Sequence, residues 1–390
     1  MKCLVKDDLE RNGLTLKVDY PEPEPGYNEV RIKVLAASVC GTDKSIYQSA
    51  GNRGIQDEMV RYLDRPDQYR PIIIGHEFCG IVESVGEGHD AIQAMGVDRD
   101  LVVEPGDYVT AEMHLACGHC TLCRTGNPHI CINVRVKGVH LDGCFAESVI
   151  VPRKNVILLG KQGDTSAVPP RIGAFLDALG NTFHTVQEAE VNGKSVAILG
   201  LGPQGLMATL LARAYGAARI YVTEAVDQEH RFALARDFGA DFHFDAIKER
   251  EQFYRAVQTQ EKASGGVDVV LEMSGSAPAY QDAIGVVRNG GTIVLLGIPR
   301  HPLKEFDIAG GVVWKGVTIK GIFGRRMFDT WNTMLNLITS DRFDLTRRLS
   351  EMIEPTTYPL DAYEEVFKTL LEGKAMKLIF TPNPDEYAGD

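Results

Sequence analysis

The chain has 390 residues, 44% hydrophobic and 24% charged, with 41 Lys and Arg against 53 Asp and Glu. A net charge of −12, with no cluster of Lys and Arg to meet a polyanion, argues against a partner among nucleic acids or acidic membranes. The length exceeds what one core usually supports, so two domains are expected.

The opening MKCLVKDDLERNG carries charges where a secretion signal needs an apolar run. No stretch has the roughly 18 uninterrupted apolar residues of a membrane span. A cytoplasmic protein is expected, in which eight cysteines stay reduced.

NEVRIKVLAAS, PIIIGHEFCGIVESVG and GDYVTAEM read as short strands bounded by Gly, Pro and Asp, the start of a β-rich domain. SVCGTDKS and IIIGHEFCG bring Cys40, Thr42, His76 and Glu77. One Cys, one His and a carboxylate are the mixed ligands of a zinc ion that keeps a coordination place free and lowers the pKa of a bound alcohol. Two polar stretches, 48–70 and 88–104, look inserted; they are expected as surface loops that shape a substrate mouth or a subunit contact.

LACGHCTLCRTGNPHIC follows, with Cys117, Cys120, Cys123 and Cys131. Four thiolates close a tetrahedral zinc site completely, so this site is structural and the chemistry lies elsewhere. Two zinc ions per chain are expected. Cys79 is expected to pack as an apolar filler, and Cys3 and Cys144 have no partner in the pattern.

Near residue 195 the pattern becomes strand, glycine turn, helix, strand: SVAILGLGPQGLMATLLARAYGAARIYVTEA. Such alternation gives βαβ units, a parallel sheet and hence an α/β fold. Gly200, Gly202 and Gly205 form a dinucleotide turn at a helix N-terminus, with Pro203 and Leu206 counted among its cofactor-binding residues. Glu224, at the end of the next strand, accepts from the ribose hydroxyls and repels a 2′-phosphate, favouring NAD over NADP. His230 and Arg231 leave room for NADP.

VDVVLEMSGS, a helix from about Pro278 to Val287, GGTIVLLGIP and VTIKGIFG continue the alternation. Arg325 and Arg326 are within reach of cofactor phosphate or a substrate carboxylate, or else lie at a surface junction. Trp331 sits in a helical stretch as a core or interface residue. The tail, LDAYEEVFKTLLEGKA and the strand MKLIFTP, is expected to return to the first domain.

Cys40-Gly-Thr-Asp, Gly75-His76-Glu77, the four-cysteine lobe and Gly200-x-Gly-x-x-Gly, in that order, resemble the zinc-dependent medium-chain alcohol dehydrogenases over nearly the whole chain. The resemblance implies a GroES-like, β-rich catalytic domain over 1–179 and 325–390, with the zinc lobe at 114–131. It further implies a Rossmann domain, a doubly wound parallel sheet, over 180–324, and a homodimer or homotetramer.

Within the family, AEMHLACGHCTLCRTGNPHIC, LDGCFAES, ALGNTFHTV, LEMSGSAPA, LLGIP and KGIFGRRMFDTW are similar to the branch that oxidises L-threonine. That likeness implies a secondary alcohol as small-molecule substrate, with His114 beside it. Asp177, in LDALGN, matches a mobile carboxylate able to approach the catalytic zinc, and Thr42 accepts the hydroxyl proton. Ser45 stands where the branch carries a relay histidine; a serine passes a proton but cannot hold one near neutral pH. Some sugar dehydrogenases of the family lack the same histidine, so a sugar or cyclic polyol is the alternative substrate. A redox-sensing protein that binds NADH without reducing a carbonyl is the non-enzymatic alternative.

Overall fold

The structure is a computed structural model and describes residues 1–63, 68–88, 102–226, 228–299, 301–340, 342–373 and 375–387. Contacts divide the chain into two compact units, Met1–Ala178 with Met327–Asp390, and Leu179–Arg326.

In the first unit, strand β1 (Glu29–Ser38) alternates as a half-buried strand must. Val30, Ile32 and Val34 are buried, while Arg31 and Lys33 lie 3.2 and 3.6 Å from Glu83 on β2 (Phe78–Val85). These cross-strand ion pairs stabilise the register that the buried face requires. Strands β3 (Tyr108–Ala111), β4 (Ser148–Pro152) and β5 (Val156–Gly160) join the same sheet.

The second unit is a six-stranded sheet in which every pairing is parallel. Its strands are β6 (Ser195–Leu199), β7 (Arg219–Glu224), β8 (Phe242–Asp245), β9 (Val267–Glu272), β10 (Val287–Leu295) and β11 (Thr318–Gly321). They lie in the order β8-β7-β6-β9-β10-β11, the doubly wound arrangement. Val196 to Leu199 are fully buried, as expected of a parallel strand covered on both faces. The order reverses between β6 and β9, where such sheets take ligands at their carboxyl ends.

The chain then returns to the first unit with β12 (Ile353–Tyr358) and β13 (Lys377–Phe380). Antiparallel pairing of β13 with β1 completes the order β5-β3-β2-β1-β13-β12, with β4 also on β1. The rings of Phe145 and Phe380 meet edge to face at 5.1 Å in this core. Gly75, with φ +91°, has no room for a side chain: a Cβ there would lie 2.3 Å from the Phe145 ring. This tight passage precedes His76 directly.

The stretch 48–70 is not a plain loop. It contains the helix Arg53–Met59, whose N-cap Asn52 accepts from the Ile55 amide. Its residues 64–67 lie outside the described residues, as do 89–101 of the second stretch. Among the described residues no helix is long and apolar enough to cross a membrane.

Candidate metal centres and dinucleotide turn

Cys40 is the N-cap of α1 (Gly41–Tyr47), and its amide donates to the Asp43 carboxylate at 2.9 Å. That bond turns the chain so that the Cys40 Sγ lies 3.0 Å from His76 Nε2. The other ring nitrogen, Nδ1, lies 3.6 Å from Asp43 Oδ1. Neither of those two buried atoms has a hydrogen-bond partner. A carboxylate facing the far nitrogen of a metal-ligating histidine is how such rings are oriented.

Ligand atoms of Cys40, Asp43 and His76 fall within 4.8 Å of one another, as do those of His76, Glu77 and Asp177. Asp177 comes from the first turn of α2 (Leu176–Ala189). Cys40 and His76 are thus in contact, and His76 is the member common to both groups, whereas Cys40 shares no such group with Glu77 or Asp177. Glu77 Oε2 is engaged by Lys377 at 2.5 Å and by the Ser38 hydroxyl.

Burial pushes the Cys40 thiol up, with Asp43 adding to it, and burial likewise raises Asp43. For His76 burial opposes the proton, but Cys40 and Asp43 outweigh it and raise the ring well above 6.5. The half-buried Cys40 and the buried Asp43, Glu77 and Asp177 form an acid-rich set, and the donor types fit a divalent ion such as zinc. The sequence assigns no role to Asp43, present only within Cys40-Gly-Thr-Asp, or to Lys377. The spacing from Cys40 to Asp43 is that of a capping box and signals the first; nothing local signals the second.

Thr42 is part-exposed in the first turn of α1. Ser45 donates to the Gly41 carbonyl at 3.1 Å, a bond inside its own helix. Cys79 and Cys144 are buried and donate to the Pro170 and Glu77 carbonyls. Cys3 is buried, and burial pushes its thiol up to about 12.

Beside this cluster, Glu112 and His114 flank Met113. Met113 enters the core while the Glu112 and His114 side chains meet. Glu112 Oε1 accepts from the His114 amide and contacts His114 Nδ1, both at 2.9 Å. Its Oε2 accepts from Trp331 Nε1 at 2.9 Å. Ligand atoms of Glu112, His114 and Asp177 again lie within 4.8 Å. Trp331 is buried as expected, but its N–H is spent on Glu112. The sequence signal was Glu-Met-His, two polar residues at strand spacing around an apolar one.

The four lobe cysteines bring their sulfurs within 4.8 Å of one another. Backbone amides of His119 and Cys120 point at Cys117 Sγ at 3.4 Å, and the Cys117 and Asn133 amides at Cys131 Sγ at 3.4 and 3.3 Å. The His119 and Cys120 amides hold the Cys117 thiol down at about 6, while burial and the neighbouring sulfurs push Cys123 up to about 12. Four thiolates this close need a cation to ionise together, so the donor set fits a closed tetrahedral zinc.

In the second unit, Gly200 leaves β6 with φ +96°, and a Cβ there would meet the Ser274 Cβ at 2.7 Å. At Gly205 a Cβ would lie 1.8 Å from the Gly200 carbonyl, while Gly202 faces open space. Pro203 begins α3 (Pro203–Ala214), and Leu206 is fully buried beneath the turn. The bare backbone at Gly202 suits close approach of a pyrophosphate.

Glu224 ends β7 with both carboxylate oxygens in use. Oε2 accepts from the Leu201 amide at 2.7 Å and from Arg231 at 2.9 Å. Oε1 accepts from the Ala225 and Val226 amides at 2.6 and 2.9 Å. The acid therefore braces the turn and also neutralises Arg231. His230 is exposed. Arg325 is buried, donating to Asn181 at 3.2 Å, and Arg326 lies 3.7 Å from Glu188.

Residues 26–161 match the alcohol dehydrogenase GroES-like domain and residues 203–340 the zinc-binding dehydrogenase domain. The chain is 36% identical over 383 residues to the L-threonine 3-dehydrogenase of Bacillus subtilis (strain 168), covering 98% of this chain and 99% of that one. Among solved structures it is similar to the alcohol dehydrogenase of Thermus sp. ATN1, with TM-score 0.76 and 26% identity over 98% of this chain and 99% of that one. It is also similar to galactitol-1-phosphate dehydrogenase from Escherichia coli, with TM-score 0.77 and 25% identity over 98% and 100%. With a mixed-ligand cluster, a four-cysteine lobe and a dinucleotide turn on one chain, and with these full-length likenesses, the chain belongs to the zinc-dependent alcohol dehydrogenase family.

Proposed function

We infer that this dehydrogenase oxidises a secondary alcohol with NAD, and that its substrate is L-threonine or a close amino alcohol. The observation that carries the reading is the Cys40 Sγ to His76 Nε2 contact of 3.0 Å inside a cluster of buried carboxylates. Cys40, His76 and Asp177, with Glu77 behind them, would hold a catalytic zinc; Cys117, Cys120, Cys123 and Cys131 would hold a structural one.

The catalytic ion, when bound, supplies the Lewis acidity that lets a hydroxyl proton leave near neutral pH. The nicotinamide, held through the turn at Gly200, Gly202 and Gly205, supplies the hydride acceptor. Thr42 takes the hydroxyl proton and passes it towards solvent through Ser45 or a water. Asp43 orients His76, and Lys377 balances the charge of Glu77. Glu224 beside the turn supports NAD over NADP. An exposed edge strand, β11, and the exposed Trp314 and Val313 near it support a homo-oligomer, since bare edges and apolar patches invite a partner copy.

The test is reduction of NAD and NADP by the zinc-loaded protein across L-threonine, related amino alcohols, aldoses and inositols. Preference for L-threonine with NAD is the expected result. Preference for a sugar or cyclic polyol would replace the substrate assignment. That second reading is favoured by Ser45, which is bonded to its own helix and offers no proton-holding group.

A further inference from the structure

We propose that Glu112 is a positioning residue of the reaction, acting through His114 by fixing which ring nitrogen carries the proton. The inference rests on the dehydrogenase reading above and extends it to a residue outside the metal ligands.

Glu112 is fully buried, and its two oxygens meet obligate donors. The His114 amide reaches Oε1 and the Trp331 indole reaches Oε2, each at 2.9 Å. A backbone amide and an indole N–H can only donate, so both oxygens act as acceptors. The third contact, from His114 Nδ1 to Oε1 at 2.9 Å, is then best satisfied with Nδ1 as donor. In the neutral ring this leaves Nε2 with the lone pair, the nitrogen that can accept a hydrogen bond.

The support beneath the pair is stiff. Asn155 Nδ2 donates to the carbonyls of both Glu112, at 2.6 Å, and His114, at 3.1 Å. The Asn155 carbonyl accepts from the Glu112 amide at 2.8 Å. Trp331 comes from the distant helix Asp329–Thr339, so the carboxylate is gripped from two parts of the first unit. His114 shares its cluster with Asp177, which also belongs to the His76 cluster, so the tautomer is set next to where the alcohol would bind. Carboxylates that orient a histidine in this way act through the tautomer, and loss of the charge alone removes the effect.

The test is a double-mutant cycle in the zinc-loaded enzyme with the panel alcohol it oxidises best. Glu112→Gln keeps the shape but cannot accept at both oxygens. It is expected to lower kcat/KM by about tenfold to a hundredfold, with zinc content and NAD affinity unchanged. In a His114→Ala background the same change is expected to cost less than about twofold, because the residue through which it acts is gone. An equal loss in both backgrounds, or no loss in either, would overturn the proposal.

If Glu112→Gln does not fold, Trp331→Phe keeps the carboxylate and removes only its indole anchor. Its expected loss is about threefold, again vanishing with His114→Ala; persistence there would count against the proposal. If no alcohol is oxidised, the functional reading fails by itself. The 15N shifts of the His114 ring then decide the positioning: Nδ1–H in the native chain and Nε2–H in Glu112→Gln are expected, and one tautomer in both overturns it.

Discussion

The two clusters of metal-binding residue types differ in how the chain builds them. The lobe takes all four sulfurs from the short span Cys117–Cys131, steered by neighbouring amides at 3.3 to 3.4 Å. The other gathers Cys40, His76, Glu77 and Asp177 from three separated segments, backed by Asp43, Lys377, Glu112 and Trp331. A local cage ties down its own loop and can be complete without the rest of the fold. The dispersed cluster depends on packing across the first unit, and its surplus of carboxylates, with the neighbouring histidines, gives it chemical range. On the reading proposed above, the difference is the one expected between a clasp and a centre of chemistry.

The largest expected effect tests that division directly. Cys40→Ala should lower turnover by about a thousandfold or more, the scale of losing a metal's stabilisation of a developing charge, with NAD binding and thermal stability retained. Activity near that of the native chain would dissolve the contrast.

Cys123→Ala should act the other way. One lobe ligand is lost, zinc content falls by about one ion per chain, and the unfolding midpoint drops by on the order of 5–10 °C. Unchanged zinc and midpoint, measured by metal analysis and calorimetry, would show that the lobe needs no metal.

A smaller effect is expected in the second unit, where Glu224 braces the turn and holds Arg231. Glu224→Gln should raise NADP use relative to NAD by about tenfold, the scale of one charge-assisted hydrogen bond. An unaltered cofactor ratio would remove Glu224 from that discrimination.

The mildest effect concerns the lobe without metal. Cys117 has a folded-state pKa of about 6, below its ordinary 9.0. A group depressed in this way stabilises the fold fully above 9.0, and the contribution is lost as pH falls through about 6. At pH 7, after chelation, Cys117 should therefore react first with an alkylating agent and Cys123, raised to about 12, last. Equal rates by mass spectrometry would mean that the amides do not order the sulfurs.

What could be read in the sequence follows the same divide. The spacing of Cys117, Cys120, Cys123 and Cys131, and of Gly200, Gly202 and Gly205, encodes sites closed by neighbouring backbone, so spacing alone exposes the donor geometry. The alternation of apolar strands with helices likewise makes the parallel sheet legible. Stretch 48–70 reads as a loop in the sequence because its short helix Arg53–Met59 offers too few turns for a clear period.

By itself the sequence determined the chemistry's ingredients: two sets of metal-ligating residue types, a dinucleotide turn, and an α/β sheet joined to a β-rich unit. Only tertiary structure decided which groups act together. Lys377 meets Glu77 across 300 positions and Trp331 meets Glu112 across 219, distances over which no local pattern carries information. The physical reason is burial: a carboxylate taken from water must find a donor, and the donor is whichever part of the fold has been packed against it.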